Sequence, residues 1–184
     1  MPSPVGHALG GAIVGLVCDQ GRPLAGGRVA RLRGALLSPV VVASAVAGVL
    51  PDLDFLWGRH NMETHSLGAA VLVGLGVWLW RRGQARVAVA IVLAWASHVL
   101  FDWLGSDDTP PLGVMALWPL TSTFYFAHAY VFEAISRRYW LDGFWAHNLW
   151  AVTTEVAMLG PALAAAVVRR LRQARRRGMP SRDA

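Results

Sequence analysis

Val87-Ala88-Val89-Ala90-Ile91-Val92-Leu93-Ala94-Trp95-Ala96-Ser97-His98-Val99-Leu100-Phe101 is apolar until its last turn, where one imidazole interrupts it and Asp102 closes it. Arg81, Arg82 and Arg86 stand in front of it, and no charge falls inside. A bilayer-spanning helix needs about 20 apolar residues, with a working range of about 17–25. Alone, this run is therefore either a buried core helix or a short span. Four further stretches are as apolar, at roughly residues 5–18, 35–50, 67–80 and 144–168. Residues 112–132 are apolar too, but Pro119 and the run Thr121-Ser122-Thr123 interrupt them, so they read as an interfacial or re-entrant segment.

Composition supports the membrane reading. Of 184 residues, 55% are hydrophobic and 15% charged, and the mean hydropathy is +0.42. Soluble domains carry about a quarter charged residues. Nine Trp and long aliphatic runs exclude a disordered chain, because that surface must be buried. Met1-Pro2-Ser3-Pro4-Val5-Gly6 lacks the basic start of a signal peptide, so the first apolar stretch is expected to stay as a helix. The single Cys18 allows no intrachain disulfide.

All seventeen basic residues are Arg, and their placement sets an orientation. Arg22, Arg28, Arg31 and Arg33 lie between the first and second stretches; Arg81, Arg82 and Arg86 lie between the third and fourth; seven more follow residue 168. If the chain weaves, these fourteen share one side, leaving only Arg59, Arg137 and Arg138 on the other. Positive loops stay cytoplasmic. The N-terminus and the loops 51–66 and 102–143 are then expected outside the cell, with the C-terminus in the cytoplasm. A net charge of +6 concentrated in one tail does not describe a nucleic-acid-binding face, and no nucleic acid is expected. The expected fold class is all-α: a multi-pass membrane helical bundle of about five apolar helices with a helical or irregular extracytoplasmic segment. Residues 1–168 form one domain, and 169–184 an Arg-rich tail expected to be disordered. A soluble helical bundle with solvated Arg faces is the competing architecture.

Polar groups in such a chain become informative where they converge. His98 and Asp102 are four apart and share a helical face. Asp52 and Asp54, in Pro51-Asp52-Leu53-Asp54, are expected to point into one space from an extended turn past the second helix. His60 and His65 precede the third helix, and His7 begins the first. The Arg-based topology brings all seven to one membrane face. Mixed His and Asp donors suit zinc, manganese or iron better than calcium or magnesium. The expected metal set is His7, Asp52, Asp54, His65, His98 and Asp102, with His60 as a leaving-group or supporting residue. Each also has a plain reading: Asp52 as a helix stop, His98 and Asp102 as a metal-free pair, His60 as a solvated loop residue, His7 as an interface residue. His128, Glu133, His147 and Glu155 have no common helical spacing and read as structural or substrate-lining.

Gly6-His7, Pro51-Asp52-Leu53-Asp54, His60 with Thr64-His65-Ser66, Ser97-His98-Val99-Leu100-Phe101-Asp102 and Leu117-Trp118-Pro119-Leu120-Thr121-Ser122 come in an order that resembles the bacterial inner-membrane, metal-dependent hydrolases related to YdjM. The order of His and Asp is also similar to the zinc-dependent phospholipase C and S1/P1 nuclease group. The resemblance implies that Asp52, Asp54, His65, His98 and Asp102 hold metal, with His7 joining through Asp102. This chain has Asn61-Met62 where the family tends to have Arg-Gly, and no late His-x-x-x-Glu. One or two ions, most simply zinc, are therefore expected instead of three. The reaction implied is hydrolysis at the outer lipid–water boundary, on an amphiphilic phosphoester or lipid-linked substrate. In it Asp52 orients water, His60 steadies the departing group, and Asp102 or Asp54 bridges if two ions bind. An ion- or proton-coupled transporter and a metal-binding scaffold with a lipid-binding Arg tail are the other classes.

Overall fold

The computed structural model describes residues 1–19, 24–58, 60–107 and 110–177. Arg22, Arg59, Arg182 and the rest of 178–184 lie outside the described residues. The helices are α1 (Pro4–Cys18), α2 (Arg28–Leu36), α3 (Pro39–Val49), a 3₁₀ segment (Leu50–Trp57), α4 (Leu67–Trp80), α5 (Ala85–Trp103) and α6 (Phe144–Arg177). Among the described residues there is no β-strand, only two isolated bridges, Gly105 with Phe132 and Val114 with Tyr125. Pro39–Leu56, Ala85–Trp103 and Phe144–Arg176 are long and apolar enough to cross a membrane, while α1 and α4 are apolar but shorter. Leu72, Trp78, Leu79, Trp80, Leu93, Leu149 and Trp150 are all exposed. An outer surface this apolar is made for lipid, not for the competing soluble bundle.

Two expectations need correction. The apolar stretch at 35–50 is not one helix, because Ser38 accepts from Val41 N and Pro39 occupies the first turn. That is a start signal, so the residues before it fold separately as α2. The Arg run does not begin an irregular tail at 169 either. α6 continues to Arg177, since Arg is a good helix former. Buried Arg170 also reaches Asp19 Oδ2 at 3.3 Å. Residues 112–132 form no helix, in keeping with their Pro and Ser/Thr interruptions.

Helix α1 is the axis of the bundle and packs on α3, α5 and α6. Glycines on α1 and α3 permit the approach. A methyl group on Gly11 would lie 2.2 Å from Ser44 O, and one on Gly48 would lie 2.5 Å from His7 O. α6 runs parallel to α1: Glu155 meets Ser3 at one end and Arg170 meets Asp19 at the other. Glu155 is fully buried. It accepts from Ser3 N at 2.6 Å and from Ser3 Oγ, closing the start of α1, where amide donors lack helical partners. Glu155→Ala leaves these buried donors unsatisfied. It is expected to lower stability by about 1–3 kcal/mol, read as an unfolding midpoint in detergent, with Glu155→Gln losing less because it keeps an acceptor.

Candidate metal centre

Every imidazole of the site is positioned by a local reason visible in the chain. Ser3 caps α1 and Pro4 starts it, which places His7 one turn before Gly11, where α3 comes close. His98 and Asp102 leave one face of α5 in consecutive turns. His65 ends the loop before α4, and that loop is pinned by Trp95 Nε1 donating to Thr64 O at 2.7 Å. Met115 N donating to Asn61 O at 3.0 Å ties the same loop to the irregular segment. Asn61 has φ 68°, a left-handed turn that Asn tolerates better than most residues.

The side chains meet around Asp102. Its Oδ1 lies 3.3 Å from His7 Nε2. Its Oδ2 lies 2.9 Å from His98 Nε2 and 3.4 Å from His65 Nε2. Asp52 Oδ1 lies 3.6 Å from His65 Nε2 and 3.8 Å from His98 Nε2. His7, His65, His98 and Asp102 are each at most 1% exposed, while Asp52 is half-buried. The ligating atoms of His7, His98 and Asp102 fall within 4.8 Å of one another, as do those of Asp52, His60 and His65.

This contact set asks for a cation. His98 Nδ1 lies 2.8 Å from Gly48 O; a carbonyl only accepts, so Nδ1 carries the hydrogen. Nε2 of the neutral ring then turns a lone pair toward a carboxylate 2.9 Å away. His7 Nε2, His65 Nε2, His98 Nε2 and both Asp102 oxygens are buried without a hydrogen-bond partner among the described residues. Leaving such atoms unmatched is costly. Bonds of about 2.0–2.2 Å to a tetrahedral ion place donors about 3.3–3.6 Å apart along each edge. The four spacings linking Asp52, His65, His98 and Asp102 run from 2.9 to 3.8 Å, on either side of that range, so these residues could hold a metal ion. His65 shows the same electrostatics. Burial opposes charge on its imidazole, but Asp52 and Asp54 on either side and Asp102 beyond outweigh it and push its pKa up to about 9. Surroundings that favour a proton this strongly also favour a divalent cation.

Asp52 and Asp54 do not share one space, as an extended turn would have it. They lie in the 3₁₀ segment, where each residue turns by about 120°, and they flank opposite edges of the His65 ring. Both Asp54 oxygens are engaged: Oδ1 by His60 Nδ1 at 2.8 Å, Oδ2 by Thr64 Oγ1 at 2.8 Å and His65 Nδ1 at 3.1 Å. That is the arrangement of a carboxylate orienting an imidazole from behind. His60 is likewise engaged, its Nε2 accepting from Arg137 at 3.1 Å. Arg137 is the residue that sequence reasoning passed over for a role at this end, while Glu155, read as structural or substrate-lining, is structural, holding Ser3. Their partners lie 77 and 152 residues away, and no spacing rule reaches that far. His128, Glu133 and His147 are not brought to the centre; His147 Nε2 bonds Ala134 O at 2.7 Å.

A cleft of about 900 Å³ opens beside Asp52 and His60, walled by Leu53, Phe55, Leu56 and Leu141 and rimmed by Arg137 and Arg138. Against known proteins, the sequence profile described as YdjM inner membrane protein matches residues 1–175. No curated protein and no solved structure matches the chain. The matched residues take in all of the His and Asp side chains gathered at Asp102 and every helix but the last two residues of α6, and the chain therefore belongs to the YdjM inner membrane protein family.

Proposed function

We propose that the protein is a membrane-bound, metal-dependent hydrolase acting on a phosphoester of an amphiphilic or lipid-linked substrate. The observation that carries this reading is the group of buried, unpartnered donors on His7, His65, His98 and Asp102 beside an open cleft. His65, His98, Asp102 and Asp52 would hold the ion, with His7 on the other oxygen of Asp102 allowing a second. Zinc is favoured by the donor set, and manganese or iron are compatible with it. Such an ion lowers the pKa of water from 15.7 toward about 7 and draws charge from a phosphoryl oxygen.

The chain's own groups do the rest. Asp52, which lines the cleft and is half-buried where Asp54 and Asp102 are fully buried, is placed to orient the attacking water. Asp54 holds His65 and His60 in single tautomers, and His60 stands at the cleft where a departing group would leave. The site lies on the extracytoplasmic side if the Arg-rich ends are cytoplasmic. A transport reading calls for ionisable groups along the membrane depth. The buried ones described here sit at the two ends of α1, which favours hydrolysis.

Elemental analysis of detergent-purified protein is the test. Wild type is expected to carry about one or two divalent transition ions per chain and His98→Ala to retain few or none. A wild type that neither carries nor takes up zinc, manganese or iron ends this reading.

A further inference from the structure

The Arg137 guanidinium is held on two sides. Its carbon lies 3.8 Å over the Phe55 ring, and that ring stacks on His60 at 3.8 Å. One N–H is used on His60 Nε2 at 3.1 Å. His60 can only accept there, since its Nδ1 hydrogen goes to the Asp54 carboxylate. No carboxylate among the described residues forms an ion pair with Arg137, although Asp52, Asp107, Asp102 and Asp54 all act on it through space. The guanidinium is thus oriented by Phe55 and His60, with most of its five donors still free, at the cleft that holds Asp52 and His60. Next to it, Leu53, Leu56 and Leu141 give the cleft an apolar wall, and Leu56 is 79% exposed.

We propose that Arg137 is a specificity-determining residue that anchors the phosphate of an amphiphile whose chain lies along Leu53, Leu56 and Leu141. A planar fork suits a phosphate through paired N–H contacts, and the apolar wall has no use for a purely polar ligand. The proposal takes its substrate class from the hydrolase reading, but the binding it describes needs no turnover.

The test is calorimetry of the full chain in detergent with three probes: dihexanoyl phosphatidic acid, dihexanoylglycerol and inorganic phosphate. Metal content is measured on the same preparations. Wild type is expected to bind the phosphatidic acid at least about tenfold more tightly than the other two. Arg137→Gln should lose about tenfold for the phosphatidic acid and nothing for dihexanoylglycerol at unchanged metal content, with Arg137→Lys in between. Equal affinity of wild type and Arg137→Gln for the phosphatidic acid overturns the proposal. So does loss of metal from Arg137→Gln, which would make the residue a support for His60. Inorganic phosphate binding as tightly as the amphiphile overturns the apolar half and identifies free phosphate as the source. Arg137-dependent binding in a protein that takes up no metal supports this proposal and removes the hydrolase reading.

Discussion

Asp102→Ala is expected to abolish metal retention and phosphoester cleavage while leaving the helices formed. Among the described residues, Asp102 alone has two oxygens that face three imidazoles, at 2.9, 3.3 and 3.4 Å. Without it, His7, His65 and His98 lose their shared anion, and a tetrahedral shell is left with His65, His98 and Asp52 alone. Loss of an outer-shell partner typically costs about 10–100-fold in affinity or activity, so removing this carboxylate should exceed about 100-fold in each. The fold should survive, because α5 is anchored elsewhere: Ile91, Ala94, Trp95 and Val99 are buried in clusters shared with α3 and α4. Metal analysis, hydrolysis of a short-chain phosphoester and circular dichroism on one preparation check all three parts. Retained metal with unchanged hydrolysis would remove Asp102 from the centre.

How far the chain announced this arrangement depends on how locally each group is held. His98 and Asp102 could be read directly, since four residues on a helix fix their relation. The gathering of His7, Asp52, His65 and His98 at one end followed from alternating helix direction, which the Arg distribution supplied independently. The division of labour between Asp52 and Asp54 was not legible. It turns on whether Pro51 opens an extended turn or a 3₁₀ segment, a difference of backbone angle that the motif Pro51-Asp52-Leu53-Asp54 does not encode. The joining of Arg137 to His60 was hidden for another reason. Among the described residues of 104–143 there is no helix, so there is no period from which to place a side chain. The break before α3 was written in Ser38-Pro39 but masked by the apolar residues on both sides of it.

Gly11→Val should be strongly damaging although it lies away from the polar groups, and its effect should reach the metal centre. A Cβ at Gly11 would sit 2.2 Å from Ser44 O, 2.9 Å from Ser44 C and 3.0 Å from Ala45 Cα. All three are backbone atoms, so no rotamer can relieve the contact, and α3 itself must move away from α1. Gly15 against Val41 Cα at 2.7 Å and Gly48 against His7 O at 2.5 Å show the same closeness above and below, and so the helices separate along their whole contact. Membrane helices lack a hydrophobic drive to hold them together and rely on this packing. Overpacking typically costs about 1–3 kcal/mol, and more where only backbone can yield. Because the 3₁₀ segment follows α3 directly, Asp52 moves with it, away from His65 and His98. Metal affinity should therefore fall even though no ligand is changed. Gly76→Ala in α4 supplies the control, for nothing lies within 4 Å of a Cβ there. Alanine in a helix interior is favoured over glycine by about 0.5–1 kcal/mol, so that variant should equal or exceed wild type in unfolding midpoint and keep its metal. If Gly11→Val matches Gly76→Ala in both measurements, α1 and α3 are not in backbone contact, and the position of His7 beside Asp102 loses its structural basis.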